Sequence, residues 1–120
     1  MLLVEDDEEL RRIVAVQLRA KGWEVQEAGS AEAAVDVLAT GPRPGLVLLD
    51  VNLPAGTGWD VLRAPAYAAA GAPPVLVASA VTVSPRRLAE FGCVGYLPKP
   101  FAMETLLETV ARLYRPGDPS

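Results

Sequence analysis

Histidine is absent from this 120-residue chain, cysteine occurs once and lysine only twice. Each shortage removes a class of function. Without histidine there is no phosphohistidine to donate, no Ser-His-Asp triad and no His-ligated zinc. A single cysteine makes neither an internal disulfide nor a thiolate cluster, which fits a reducing cytosol and predicts a cytoplasmic protein. Any metal is then a hard ion held by oxygen, such as Mg²⁺ or Mn²⁺. Long apolar runs are also missing: none approaches the roughly 18–20 residues of a membrane span, so no membrane insertion is expected. Met1-Leu-Leu-Val-Glu5 lacks the basic start of a signal peptide. Basic charge is in deficit, with 11 Lys+Arg against 15 Asp+Glu, which argues against direct nucleic-acid contact.

What is present is a globular composition, 51% apolar and 22% charged, in a length that suits one domain. The acidity is unevenly placed. Glu5-Asp6-Asp7-Glu8-Glu9 contributes −5 and the other 10 acids face 11 bases, so one run supplies the whole net charge of −4. Residues 1–115 read as the domain, and 116–120 as a tail or the start of a linker.

Short apolar runs alternate with helix-period stretches. Leu2-Leu3-Val4 reads as a strand. Leu10, Ile13, Val14, Gln17 and Leu18 then give one mostly apolar helical face, with Asp7 as N-cap and Gly22 as stop. Trp23 to Gln26 predicts a second strand. Ser30 caps a helix with Ala31, Ala34, Val35 and Leu38 on one side, ended by Gly41-Pro42. Leu46 to Leu49 and Pro74 to Ala78 are fully apolar, as buried parallel strands are. Between them, Thr57 to about Ala70 predicts a weaker helix that Pro65 breaks or kinks. Ser84-Pro85 opens a short helix to about Phe91, Val94 to Leu97 is a last strand, and Met103 to Leu113 a last amphipathic helix.

The pattern is β-α five times over, which implies α/β architecture with a parallel sheet and helices on both faces. Sites in such sheets form beyond the carboxyl ends of the strands. Here those ends carry Glu5-Asp6, Asp50-Val51-Asn52, Ser79 and Pro98-Lys99. Crowded carboxylates repel unless a divalent cation or a lysine compensates them. A carboxylate, a cation, a lysine and a hydroxyl donor suit the oxygens of a phosphoryl group, and a carboxylate such as Asp50 can be the nucleophile.

These residues resemble the receiver domain of two-component response regulators, from Leu2 to about Leu113. Leu-Leu-Val-Glu5-Asp6-Asp7 follows the first strand and Leu-Leu-Asp50-Val-Asn52-Leu-Pro54 the third. Val-Ala-Ser79-Ala80 follows the fourth, and Gly-Tyr96-Leu-Pro-Lys99-Pro100-Phe101 the fifth. Each fragment is common alone; four in order are specific. The resemblance implies a flavodoxin-like (βα)5 three-layer sandwich with strand order 2-1-3-4-5. It implies that Asp50 accepts a phosphoryl group from a phosphohistidine on a histidine kinase or histidine phosphotransfer protein. Asp6, Asp50 and the backbone carbonyl of Asn52 would ligate Mg²⁺, with Glu5 acting through water. Lys99 would pair with Asp50, while Ser79 and Tyr96 would switch. Pro100 would fix the turn after Lys99 through a cis bond. The surface of the fourth helix, fifth strand and fifth helix would then control an output protein or attached domain, with a homodimer as one form. The protein would be a regulator rather than an enzyme.

Other readings compete. Asp7, Glu8 and Glu9 suit an ordinary acidic helix start. Cys93 reads as a small buried residue, and Trp59 and the first helix's apolar face as packing rather than interface. A haloacid-dehalogenase-type phosphatase needs Asp-x-Asp after its first strand, whereas Asp50-Val-Asn52 follows the third and lacks the second acid. A Toprim-type nucleic-acid enzyme is opposed by Asn52 and the negative charge. A pseudo-receiver that binds partners without phosphorylation is opposed by the intact acids, Ser79 and Lys99. The 17 residues from Ser79 to Tyr96 are few for the family and predict a trimmed fourth helix or loop. Gly92-Cys-Val-Gly95 lacks the acids of the charged dimer face in DNA-binding receivers.

Overall fold

The apolar runs that pack on both faces become the middle of a sheet. In the computed structural model, which describes residues 1–54 and 56–115, β1 (Leu2–Val4), β3 (Val47–Leu49) and β6 (Val75–Ser79) are buried along their whole length. β2 (Gln26–Ala28) and β7 (Gly95–Pro98) form the edges. All pairings are parallel, in the order β2-β1-β3-β6-β7. Counted within this sheet alone, that is the expected 2-1-3-4-5 order of a flavodoxin-like α/β sandwich. The expected tail at 116–120 lies outside the described residues.

Strand alternation divides the core in two. Leu3, Leu48, Leu76 and Leu97 point to one face, where they meet Val14, Ala15 and Leu18 of α1 (Glu8–Ala20) and Leu106 and Val110 of α6 (Met103–Leu113). Leu2, Val4, Val47, Leu49, Val75 and Val77 point to the other. They meet Ala34 and Leu38 of α2 (Ala31–Thr40) and Val61 and Leu62 of α3 (Gly58–Arg63). Each fully buried Leu or Val contributes about 1.5–3 kcal/mol. Asp7 and Ser30 cap α1 and α2 as expected, accepting from the amides of Leu10 and Ala33 at 3.1 Å each.

The structure shifts several expected boundaries. β2 begins at Gln26 rather than Trp23: Gln26 is the first residue in register with β1, opposite Leu2, and its amide donates to Met1 O at 2.9 Å. Trp23 packs instead near Tyr114, ring centroids 6.1 Å apart. The Thr57–Ala70 stretch divides into α3 and α4 (Pro65–Ala69), parted at Ala64, whose extended backbone is what a residue before proline adopts. α5 (Pro85–Glu90) is short, as the Ser79–Tyr96 spacing predicts. Two short strands were not expected: β4 (Asn52–Leu53) pairs antiparallel with β5 (Gly56–Thr57) directly after Asp50. Ile13 is 47% exposed and Val16 55%. At 3.6 residues per turn, Val14, Ala15 and Leu18 centre the buried face and leave Ile13 and Gln17 outside it. The expected packing role of the first helix's apolar face therefore holds for part of it only. Trp59 does pack, stacked on Phe91 at 4.9 Å. Cys93 is half-buried rather than buried, and burial pushes its thiol up to about 11, which keeps it protonated and unreactive.

Candidate functional site

Sheet register carries the polar residues to one edge. The Glu5 amide donates to Ala28 O, the Asp50 amide to Val4 O at 3.0 Å, and the Lys99 amide to Ser79 O at 2.9 Å. Glu5 and Asp50 thus begin one step past buried strands and Lys99 one step past the edge strand β7, each anchored to a neighbour. β1 and β3 are the strands at which the order reverses, where α/β sheets form their crevices.

Carboxylate oxygens of Glu5, Asp6 and Asp50 lie within 4.8 Å of one another. Glu5 and Asp50 are buried, 5% and 6% exposed, whereas Asp6 faces solvent. Lys99 Nζ reaches between the buried pair, donating to Glu5 Oε1 and, at 2.9 Å, to Asp50 Oδ2. Asp50 Oδ1 accepts the Asn52 amide at 2.9 Å, and Glu5 Oε2 accepts the Asp7 amide at 3.2 Å. Both carboxylates are therefore oriented through two oxygens each.

The electrostatics follow from this crowding. Burial pushes the Glu5 carboxyl up to about 7, and Asp50 adds to the rise, while the bonds from Lys99 and the Asp7 amide oppose it. Burial lowers the Lys99 ammonium, but its hydrogen bonds to Glu5 and Asp50 outweigh that and leave it above its ordinary 10.5. Lys99 stays charged, and the Glu5 carboxyl titrates near neutral pH. Oxygen donors of two sequence regions meeting at a solvent-facing edge fit a hard divalent cation.

Ser79 is fully buried, and its Oγ accepts the Val81 amide at 3.1 Å. Tyr96 is half-buried on β7 and its hydroxyl donates to Val81 O at 3.3 Å. Both predicted switch residues thus bear on the peptide groups of one loop residue, and neither contacts the carboxylates directly. Pro100 follows Lys99 through a cis peptide bond. The side chain of Asn52 is exposed, and the residue reaches the acids through its amide.

Sequence reasoning passed over Gly58 and Arg11. A Cβ at Gly58 would stand 2.5 Å from Asp50 O and 2.9 Å from Val51 Cα. Only glycine lets α3 begin so close to the Asp50 backbone. The available signal was a glycine opening a helix, where a better helix former is expected. Arg11 donates from Nη1 to Glu5 O at 2.9 Å; nothing in its spacing announces that contact.

Known proteins share this fold. The response regulator receiver domain family matches residues 1–111. Response regulator MprA of Mycolicibacterium vanbaalenii is 33% identical over 120 residues, 99% of this chain and 52% of its own length. The probable transcriptional regulatory protein TcrX of Mycobacterium tuberculosis is 34% identical over 96% of this chain and 49% of its own. The chain therefore spans about half the length of the curated relatives it matches. The chemotaxis protein CheY4 of Vibrio cholerae superimposes with a TM-score of 0.83 at 30% identity, covering 93% of this chain and 95% of its own. Such domains are signalling regulators rather than classical enzymes. The family match, the relatives and the shared fold together show that the chain belongs to the response regulator receiver domains of two-component systems.

Proposed function

We propose that this chain is a phosphorylation-controlled switch in which Asp50 accepts a phosphoryl group from a phosphohistidine on a histidine kinase or histidine phosphotransfer protein. One observation carries the reading: a buried, doubly oriented Asp50 carboxylate faces a lysine and two further acids at the sheet's switch point. An Asp50 oxygen attacks phosphorus and the P–N bond to the donor imidazole breaks. The electron pair leaves with the ring nitrogen, which takes up a proton. Asp6, Asp50 and the Asn52 carbonyl would hold Mg²⁺ or Mn²⁺, with Glu5 acting through water. Such an ion neutralises phosphoryl oxygens when bound. Lys99 lies against Asp50 and can follow the charge onto the new phosphoryl group. Ser79 spends an oxygen lone pair on the Val81 amide, which leaves its hydroxyl proton to donate. Its movement toward the phosphoryl group releases Val81, and Tyr96, bonded to the same residue, moves with it. That changes the surface of α5, β7 and α6, which an output protein or attached domain reads, alone or through a homodimer.

The test is incubation with Mg²⁺ and acetyl phosphate or a phosphorylated kinase, followed by intact-mass measurement. A hydroxylamine-labile gain of one phosphoryl group, missing in Asp50→Asn, is the expected result. No adduct with any donor overturns the reading in favour of a binding module. Steady turnover of varied phosphate esters favours an aspartate-nucleophile phosphatase instead.

A further inference from the structure

Arg11 has no part in the chemistry above, yet its side chain turns inward and is only 20% exposed. Nη1 bonds to Glu5 O at 2.9 Å, and Nε lies 3.4 Å from Glu27 Oε1 on β2. That buried Nε has no aligned hydrogen-bond acceptor, so the carbonyl bond and the charge of Glu27 hold the guanidinium. Glu27 is itself fixed: its Oε2 accepts Arg19 Nη1 at 3.1 Å, and Arg19 Nη2 reaches Val25 O at 2.6 Å. Gly29 completes the seat, since a Cβ there would stand 2.8 Å from Arg11 Nη1. The neighbouring Arg12 differs in every respect, pairing with Glu8 where both side chains are more than 70% exposed, at 73% and 72%.

By charge alone, a half-buried arginine beside an acid cluster opposes a divalent cation. Its geometry does the reverse. The Glu5 carbonyl shares one rigid peptide plane with the Asp6 amide, so a bond to that oxygen sets the direction in which both acids leave the chain. We propose that Arg11, seated on Glu27 and admitted by Gly29, is a positioning residue that fixes the Glu5–Asp6 peptide plane and so holds these carboxylates ready for a divalent cation. The inference rests on the cation reading of the cluster given above.

Charge and geometry predict opposite signs, and that separates them. The full chain is titrated with Mg²⁺ alone, and amide hydrogen exchange at Asp6 and Asp7 is followed in the metal-free protein. Arg11→Ala is expected to bind Mg²⁺ about tenfold more weakly, the usual loss for an outer-shell partner, and to exchange both amides faster. Gly29→Ala is expected to do the same. The atom it displaces is the tip of a flexible side chain, so the fold survives. Arg11→Lys keeps the charge, loses the planar fork, and is expected to follow Arg11→Ala. Arg12→Ala removes equal charge and leaves both readouts close to wild type. Equal or tighter Mg²⁺ binding in Arg11→Ala, or unchanged exchange at Asp6 and Asp7, overturns the proposal. Wild-type protein that binds no Mg²⁺ sinks the cation reading alone, and hydrogen exchange then decides the role of Arg11 by itself.

Discussion

Lys99 holds together two carboxylates that could not be buried side by side without it. Its side chain is 16% exposed, against 6% for Glu5 and 7% for Asp50. Lys99→Met leaves those acids facing each other with no counter-charge. Removing one partner of a buried ion pair costs about 3–5 kcal/mol, and urea unfolding of the metal-free protein is expected to show a loss of that order. Added Mg²⁺ should recover part of it. A loss below about 1 kcal/mol, the range of exposed pairs, would mean the group is solvated. The charged members of this site were legible in the sequence because they stand at or close after the end of an apolar run, or are rare in the chain. Asp50 ends Leu46–Leu49, Asp6 follows Leu2–Val4 by two positions, and Lys99 is one of two lysines in the chain. Arg11 was not legible, because eight other arginines share its type and only distance shows which one turns inward.

At the scale of elements, the segment after Asp50 decides how well the Asp50 carboxylate is held. The β4–β5 hairpin folds the chain back, and the Gly58 amide then donates to Val51 O at 2.9 Å as α3 starts. Gly58→Ala places a methyl group against the Asp50 carbonyl, with its two nearest obstacles in the backbone, at 2.5 and 2.9 Å. The expected cost is about 1–3 kcal/mol of stability, as for other overpacked sites. Acetyl-phosphate-driven phosphorylation should also slow, because the carboxylate moves with its backbone. Gly56→Ala is the control, since its Cβ meets only the tip of Asp60, and comparable losses there would remove the argument. Further along, Trp59 of α3 stacks on Phe91 just past α5, with Arg63 over Phe91 at 5.1 Å and Arg87 over Trp59 at 5.9 Å. Phe91→Ala is expected to cost at least the roughly 1 kcal/mol of an aromatic pair and to alter Trp59 fluorescence. Unchanged emission and stability would show that α5 is held by its other contacts. The break at Pro65 and the caps at Asp7 and Ser30 could be read in advance, being consequences of local chemistry. The hairpin could not: two-residue strands carry no periodicity, and long-range packing places them. Nor could the outward turn of Ile13, since an apolar residue at the rim of a stripe looks the same in sequence as one at its centre.

For the whole molecule, the acidic edge links stability, pH and cation binding. Glu5 has an ordinary value of 4.5 and sits at about 7 in the metal-free fold, chiefly through burial. The folded chain therefore holds this proton more tightly than the unfolded one. The associated stability is fully present below pH 4.5 and is lost as pH rises through about 7. Lys99, raised above 10.5, stays charged throughout, whereas the Met1 ammonium, lowered from 8.0 chiefly by burial, acts with the opposite sign in the same range, so Glu5→Gln is the reference that isolates the Glu5 share. A divalent cation reverses the preference, because it favours the ionised carboxylate and competes with the proton. Metal-free protein is thus expected to melt at a lower temperature at about pH 8 than at about pH 6, and saturating Mg²⁺ should raise the melting temperature more at the higher pH. Calorimetry at the lower pH should record proton release on Mg²⁺ binding, seen as a dependence of the measured heat on the buffer's own ionisation heat. Glu5→Gln should flatten both effects while leaving Asp6 and Asp50 in place. If the Mg²⁺-induced shift is the same at both values in wild type, Glu5 does not exchange a proton for the cation. The acidity concentrated at Glu5–Glu9 would then act on the metal only through its field.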